Sequence, residues 1–89
     1  MHNYKLSKRL EKLLPKIYKK DKKLYLQLIR KIDEISNSNN IESYKNLKHN
    51  LKGLKRVHLG HFVLIFSYDK TEKIIRFKDF NHHDKVYKL

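Results

Sequence analysis

The chain reads as an α+β fold: an N-terminal helical hairpin packed on a small antiparallel β-sheet. Three observations predict it. Apolar residues recur at helical spacing from Leu6 to Tyr18 and again from Leu24 to Ile35. Three β-branched and aromatic runs follow between Gly53 and Tyr87, separated by short polar breaks. Helices come first and strands come consecutively, so the two kinds of element form layers instead of alternating.

His2 to Leu6 suits a short first strand. From Ser7 the period changes. Leu6, Leu10, Leu13, Leu14, Ile17 and Tyr18 form one apolar stripe, with Lys8, Arg9, Lys12, Lys16, Lys19 and Lys20 on the wet side. Ser7 is the expected N-cap. Pro15 lies inside the pattern and lacks a backbone donor, which predicts a kink or a break. Asp21 is the expected cap of a second helix. Its stripe is Leu24, Leu28, Ile32 and Ile35, widened by Tyr25 and Ile29, and Leu26 falls outside it. The polar run Ser36 to Asn40 ends that helix and completes the hairpin.

Ile41 to Lys52 suits either a short helical turn or a loop pinned by Tyr44, Leu47 and Leu51. Strands are then expected at Leu54–Leu59, Phe62–Tyr68 and Lys73–Phe80, with turns at Gly60-His61 and Asp69 to Glu72. Alternation puts Phe62, Leu64 and Phe66 on one face of the middle strand, opposite Val63, Ile65 and Ser67. By the same rule Ile75, Phe77 and Asp79 share one face of the last strand, and Ile74, Arg76, Lys78 and Phe80 the other. The tail after His83 suits a final helical turn.

With 89 residues the chain has the length of one small domain, residues 1–89. It has no cysteine, so neither disulfides nor thiolate metal sites are available. No apolar run approaches a membrane span, and the N-terminus lacks a signal-peptide core. A cytoplasmic protein without a membrane partner is expected. Against 22 lysines and arginines stand 9 acidic residues, a net charge of +13. Residues 1–31 hold 11 basic and 2 acidic residues, and residues 32–89 hold 11 and 7. Such a surface attracts polyanions, nucleic acid first, an anionic membrane second and an acidic protein third.

Several chemistries lack their residues. Two glycines, Gly53 and Gly60, cannot build a phosphate loop. No serine stands in a nucleophile-elbow context. His82-His83-Asp84 could suggest a metal, but adjacent side chains are expected to diverge and no spaced ligand pattern completes the set. No metal or cofactor is expected. Four of the six histidines lie between Gly53 and Tyr87, interleaved with arginine, lysine and tyrosine. Histidine can serve as acid or base near neutrality, arginine forks onto phosphate oxygens, and tyrosine stacks bases. That set suits RNA cleavage by 2′-hydroxyl attack on the adjacent phosphate. The same residues also suit plainer roles: His2 and His49 at the surface, His58 and His61 on a solvated strand face, Arg56 and Arg76 as solubilising charge.

Three blocks carry a family resemblance: Leu6 to Lys12, Leu47 to Phe66 (with Arg56-Val-His58-Leu-Gly-His61-Phe-Val63), and His82-His83-Asp84-Lys85-Val86-Tyr87. Together they resemble the RelE/ParE toxin superfamily, in particular its archaeal RelE-like branch. The resemblance implies a microbial-ribonuclease-like sheet with a helical hairpin on one face. It implies a type II toxin–antitoxin toxin that cleaves mRNA, often in the ribosomal A site, without a metal. Carried over by position, Arg56 and His58 contact the scissile phosphate, His83 takes part in proton transfer, and Tyr87 is the C-terminal aromatic of the same catalytic motif. Lys52, Lys55, His61, Arg76, Lys78, His82 and Lys85 are the expected RNA- and phosphate-binding set, with Asp84 in support. Many RelE toxins carry an arginine where this chain has Val63, so either Arg56, Arg76 or His61 supplies its charge, or the copy is degenerate, binding its antitoxin with little activity. The implied partner is an antitoxin, often acidic, for which Leu26 offers an anchor. Two other readings stand beside this one: a ParE-like gyrase poison, which generally lacks the His and Tyr ending, and a non-catalytic RNA- or ribosome-binding protein.

Overall fold

The computed structural model describes residues 2–46 and 53–86. In chain order they form β1 (Asn3–Leu6), α1 (Lys8–Lys20), α2 (Lys22–Ser36), a 3-10 turn (Ile41–Ser43), β2 (Lys55–Leu59), β3 (Phe62–Asp69), β4 (Ile74–His82) and α3 (His83–Val86). The expected α+β architecture is present. Among the described residues the sheet has four strands in the order β1-β4-β3-β2. β2, β3 and β4 pair antiparallel as expected, whereas β1 joins the β4 edge in parallel and makes the sheet mixed. Alternation within four residues could not specify that pairing. It is set by the chain leaving β1 for two helices and two strands before β4 arrives beside it.

Both helix caps are as the sequence predicts. The Ser7 hydroxyl accepts from the Leu10 amide at 3.1 Å, and the Asp21 carboxylate accepts from the Leu24 amide at 3.0 Å. Pro15 does not break α1, which runs on to Lys20. Its ring is on an exposed side of the helix, where water can satisfy the carbonyl that loses its donor. The chain divides instead at Asp21, whose backbone amide closes α1 onto the Ile17 carbonyl and whose side chain opens α2.

The helical stripes meet one face of the sheet. Leu10, Leu28, Ile32, Ile35 and Ile41 form a single buried cluster with Leu64, Phe66, Ile75, Phe77 and Phe80. Each such side chain contributes about 1.5–3 kcal/mol on full burial, so this layer is the main source of stability. Tyr44 anchors the 3-10 turn with its ring edge-on to Phe66, 5.6 Å between centroids. His2 is not a free surface residue. Its amide donates to the Ser36 carbonyl at 2.8 Å, and its ring meets Tyr68 edge-on at 5.3 Å. On the β3–β4 turn Lys70 pairs with Glu42 at 2.7 Å, and the hydrogen bond to that carboxylate raises the lysine pKa.

One irregularity repositions the last strand. Ile65 pairs with Asp79 but Phe66 pairs with Phe77, which leaves Lys78 as an extra residue, a β-bulge. Side-chain alternation changes phase there. Phe80 therefore joins Ile75 and Phe77 in the core, and Asp79 moves off their face. Uninterrupted alternation predicts the opposite for both residues.

Candidate functional site

The face turned away from the helices carries Arg56, His58 and Arg76. Register puts His58, Val63 and Asn81 in one row across β2, β3 and β4. Arg56, Ile65 and Asp79 form the next row. Directly paired side chains on a sheet sit about 4.5–5.5 Å apart at Cβ, and diagonal ones about 7–8 Å. Arg56 and His58 thus flank an apolar strip, where Val63 is fully buried and Ile65 is 7% exposed, packed with Leu54. Arg56 is held in place: its amide donates to the Lys45 carbonyl at 2.9 Å and its Nε to the Asn46 carbonyl at 3.2 Å. His58 is exposed, and at the β2 edge it also borders a depression of about 320 Å³ shared with Gln27, Arg30, Lys31 and Glu34.

Arg76 shares this face but not this neighbourhood. It pairs with Ser67, four residues along β3 from Val63, a displacement of about 13 Å at strand rise. Its Nη1 lies 3.9 Å from an Asp69 carboxylate oxygen. Of the two arginines, Arg56 is therefore the one within diagonal reach of the Val63 position. Lys55 points to the helix side, opposite Phe66. Its Nζ donates to the carbonyls of Glu42 and Tyr44 at 3.2 and 3.0 Å and to Asn46 Oδ1 at 3.3 Å. That lysine fastens the 42–46 segment to β2 and is not grouped with Arg56 and His58. Lys78 is the exposed bulge residue, and Lys85 is exposed on α3.

The histidines gather at the end of the sheet. The His83 amide donates to the His61 carbonyl at 2.8 Å, which binds the start of α3 to the β2–β3 turn. The His61 and His82 rings stack 6.0 Å apart at 15°, and His82 meets Phe62 edge-on at 5.7 Å. Asp84 reaches both neighbours, 3.2 Å from His83 Nδ1 and 3.6 Å from His82 Nδ1. The expectation that these adjacent side chains diverge is wrong, because the chain turns from strand to helix between them. Tyr87 and Lys52 lie outside the described residues, as does His49.

Sequence reasoning missed three neighbours of this site. Asn81 shares the row of His58 and Val63, and its Oδ1 accepts from the His82 amide at 2.8 Å. Asn46 supplies the carbonyl that positions Arg56. Arg9 crosses from α1 to pair with Asp79 at 3.1 Å. A depression of about 300 Å³ between α1 and β4 extends from that pair, lined by Arg9, Lys12, Leu13, Lys16, Phe80 and Asn81. Only Asn81 left a trace in the sequence, and the bulge hid it.

A Methanocaldococcus jannaschii protein described as "Putative toxin RelE4" is 42% identical over 89 residues, which span 99% of this chain and 93% of that protein. This chain belongs to the RelE toxin family. A Methanosarcina mazei protein without an assigned function is 41% identical, across 98% of this chain and all of that one. No protein-family model matches the chain. Among solved structures, a chain of the Mycobacterium tuberculosis toxin–antitoxin complex RelBE2 superposes with a TM-score of 0.67. That match covers 92% of this chain and 98% of the other at 13% identity, so it is a likeness of fold. The RelE fold accounts for the layered helices and the mixed sheet. Among the described residues of this RelE-family chain, no helix is long and apolar enough to cross a membrane.

Proposed function

We propose that this RelE-family toxin is an endoribonuclease that cleaves mRNA on the ribosome, acting in the cytoplasm as one domain over residues 1–89. It is the toxin of a type II pair, held inactive by an antitoxin. The observation that carries the reading is the pairing of Arg56 and His58 in adjacent rows beside the histidine cluster that opens α3. The chemistry needs a base for the 2′-hydroxyl, an acid for the departing 5′-oxygen and cations for the pentavalent phosphorane. Arg56, fixed by two backbone carbonyls, is the phosphate clamp. His58 adds charge at the same phosphate when protonated. His83 and Tyr87 are the proton-transfer pair, so no metal is required.

His61, His82, Lys78 and Lys85, together with Arg9, Lys12 and Lys16 along the α1 depression, give the RNA backbone a cationic path. The exposed apolar side chains of Tyr18, Leu26 and Ile29 on the helices give the antitoxin its anchors. The net charge of +13 favours an acidic partner. The solved relative in fold is itself from a toxin–antitoxin complex.

The test is induction of the chain and of His83→Ala and Tyr87→Ala, with growth, mRNA integrity and folding followed together. Both variants are expected to fold, to relieve growth arrest and to slow cleavage by about 10²–10⁴-fold, the range for loss of a general acid or base. Unchanged toxicity in both sinks the catalytic assignment. One observation favours a second reading: Val63, where many relatives carry an arginine, is fully buried. Salt-sensitive RNA binding with intact transcripts would establish that non-catalytic role instead.

A further inference from the structure

We propose that His82, His83 and Asp84 form a binding site for a borderline divalent transition metal, with zinc(II) as the reference ion. One ligand atom from each of the three lies within 4.8 Å of the others. Consecutive residues of a strand point to opposite faces, so this convergence needs a cause. It comes from the passage out of β4 into α3, where the His83 amide is tied to the His61 carbonyl and the Asp84 amide sits 3.3 Å from His82 Nδ1.

The spacing suits a shared ion. Ligand atoms at about 2.0–2.1 Å from a tetrahedral zinc are roughly 3.3 Å apart. The Asp84 carboxylate is already 3.2 Å from His83 Nδ1 and 3.6 Å from His82 Nδ1. The contact of the Asp84 amide with His82 Nδ1 is long for a hydrogen bond and is easily exchanged for a metal bond. Two imidazoles and one carboxylate favour zinc, nickel or copper over magnesium and calcium, which prefer all-oxygen shells.

His61 stands beside the set and is not one of its ligands. Its ring stacks on that of His82, 6.0 Å away and near parallel, so an ion in the plane of the His82 ring lies outside the plane of the His61 ring. The exposed flank of the cluster leaves a further position open to solvent. Binding itself does not depend on the cleavage reading. If that reading holds, a bound ion takes the lone pair that His83 uses in proton transfer, so it acts as an inhibitor.

The experiment measures zinc(II) capture by the full chain against a chromogenic chelator. It compares wild type with Asp84→Asn and His82→Ala, with circular dichroism to verify the fold. One ion per chain is expected, captured at neutral pH and released when acid protonates the imidazoles. Each variant is expected to weaken capture by at least about tenfold. In NMR spectra, the His82 and His83 ring signals should move together while those of His2 stay fixed. His82 packs on Phe62, so should His82→Ala fail to fold, Asp84→Asn decides. Absence of capture by wild type, or capture indifferent to both folded variants, overturns the site and reduces the cluster to a carboxylate bridging two histidines. Neither outcome depends on RNA cleavage, so failure here leaves the proposed activity standing.

Discussion

The Ser7 hydroxyl donates to the Lys78 carbonyl at 2.6 Å while it accepts from the Leu10 amide. The Ser7 amide also donates to the Phe77 carbonyl at 2.9 Å. One serine thus caps α1 and secures the bulge that puts Phe80 in the core and Asp79 opposite Ile65.

Ser7→Ala removes both side-chain bonds. A lost N-cap costs about 0.5–2 kcal/mol, and the orphaned bulge carbonyl adds roughly 1 kcal/mol. Urea denaturation is expected to report about 1.5–3 kcal/mol of destabilisation. Ser7→Thr keeps the hydroxyl and should lose much less. Equal losses in the two variants would show that the hydroxyl has neither role.

The β2–β3 turn gives a second prediction. Gly60 has φ +59°, and a Cβ added there would meet no atom within 4 Å. Gly60→Ala therefore carries only the left-handed backbone cost, about 1–2 kcal/mol. A fall in Tm of about 4–8 °C per kcal/mol is expected for a domain of this size. Gly60→Asn, whose side chain tolerates that region, should fall less. An equal fall for both would point to a crowded turn.

The helices, caps, turns and inner face of β3 were legible because each rests on local periodicity or on one residue type. Leu10, Leu28, Ile32 and Ile35 announce their own stripe. The phase of β4 was not legible. An extra residue in a strand has no local signature, and the partner that stabilises the bulge, Ser7, lies 71 positions away. The same holds for the surroundings of Lys55: that the carbonyls of Glu42 and Tyr44 fold onto this cation has no local signature in the sequence. In the candidate site, Arg56 and His58 were legible as a pair because they are two apart on a strand. Their separation from Arg76 depends on cross-strand register, which the sequence does not specify.

Core and surface should separate sharply. Phe77 is fully buried among Phe66 and the helices, with Tyr4 edge-on at 5.6 Å, whereas Leu26 is 44% exposed. Phe77→Ala should cost about 3–5 kcal/mol, a large share of the total stability of an 89-residue chain. Leu26→Ala should stay within about 0.5 kcal/mol in the free chain. If Leu26 anchors the antitoxin, its loss appears as faster dissociation of the complex, measured by surface plasmon resonance.

The two arginines of the outer face should behave differently although a sequence reading treats them alike. Arg56 sits in the row next to His58 and within diagonal reach of Val63, while Arg76 is displaced by about 13 Å along the sheet. Stabilisation of a phosphorane acts over a hydrogen-bond length, so under the proposed cleavage, with the phosphate at Arg56, that displacement keeps Arg76 out of the reaction. Arg56→Ala is expected to lower single-turnover RNA cleavage by about 10²–10³-fold, the cost of losing one donor to a developing oxyanion. Arg76→Ala should leave single-turnover cleavage near wild type and reduce only the salt-dependent RNA affinity, by one phosphate contact in the slope against log salt. Cleavage lost equally in both would mean that RNA lies along the full length of β3. In that case Arg76 supplies the charge absent at Val63.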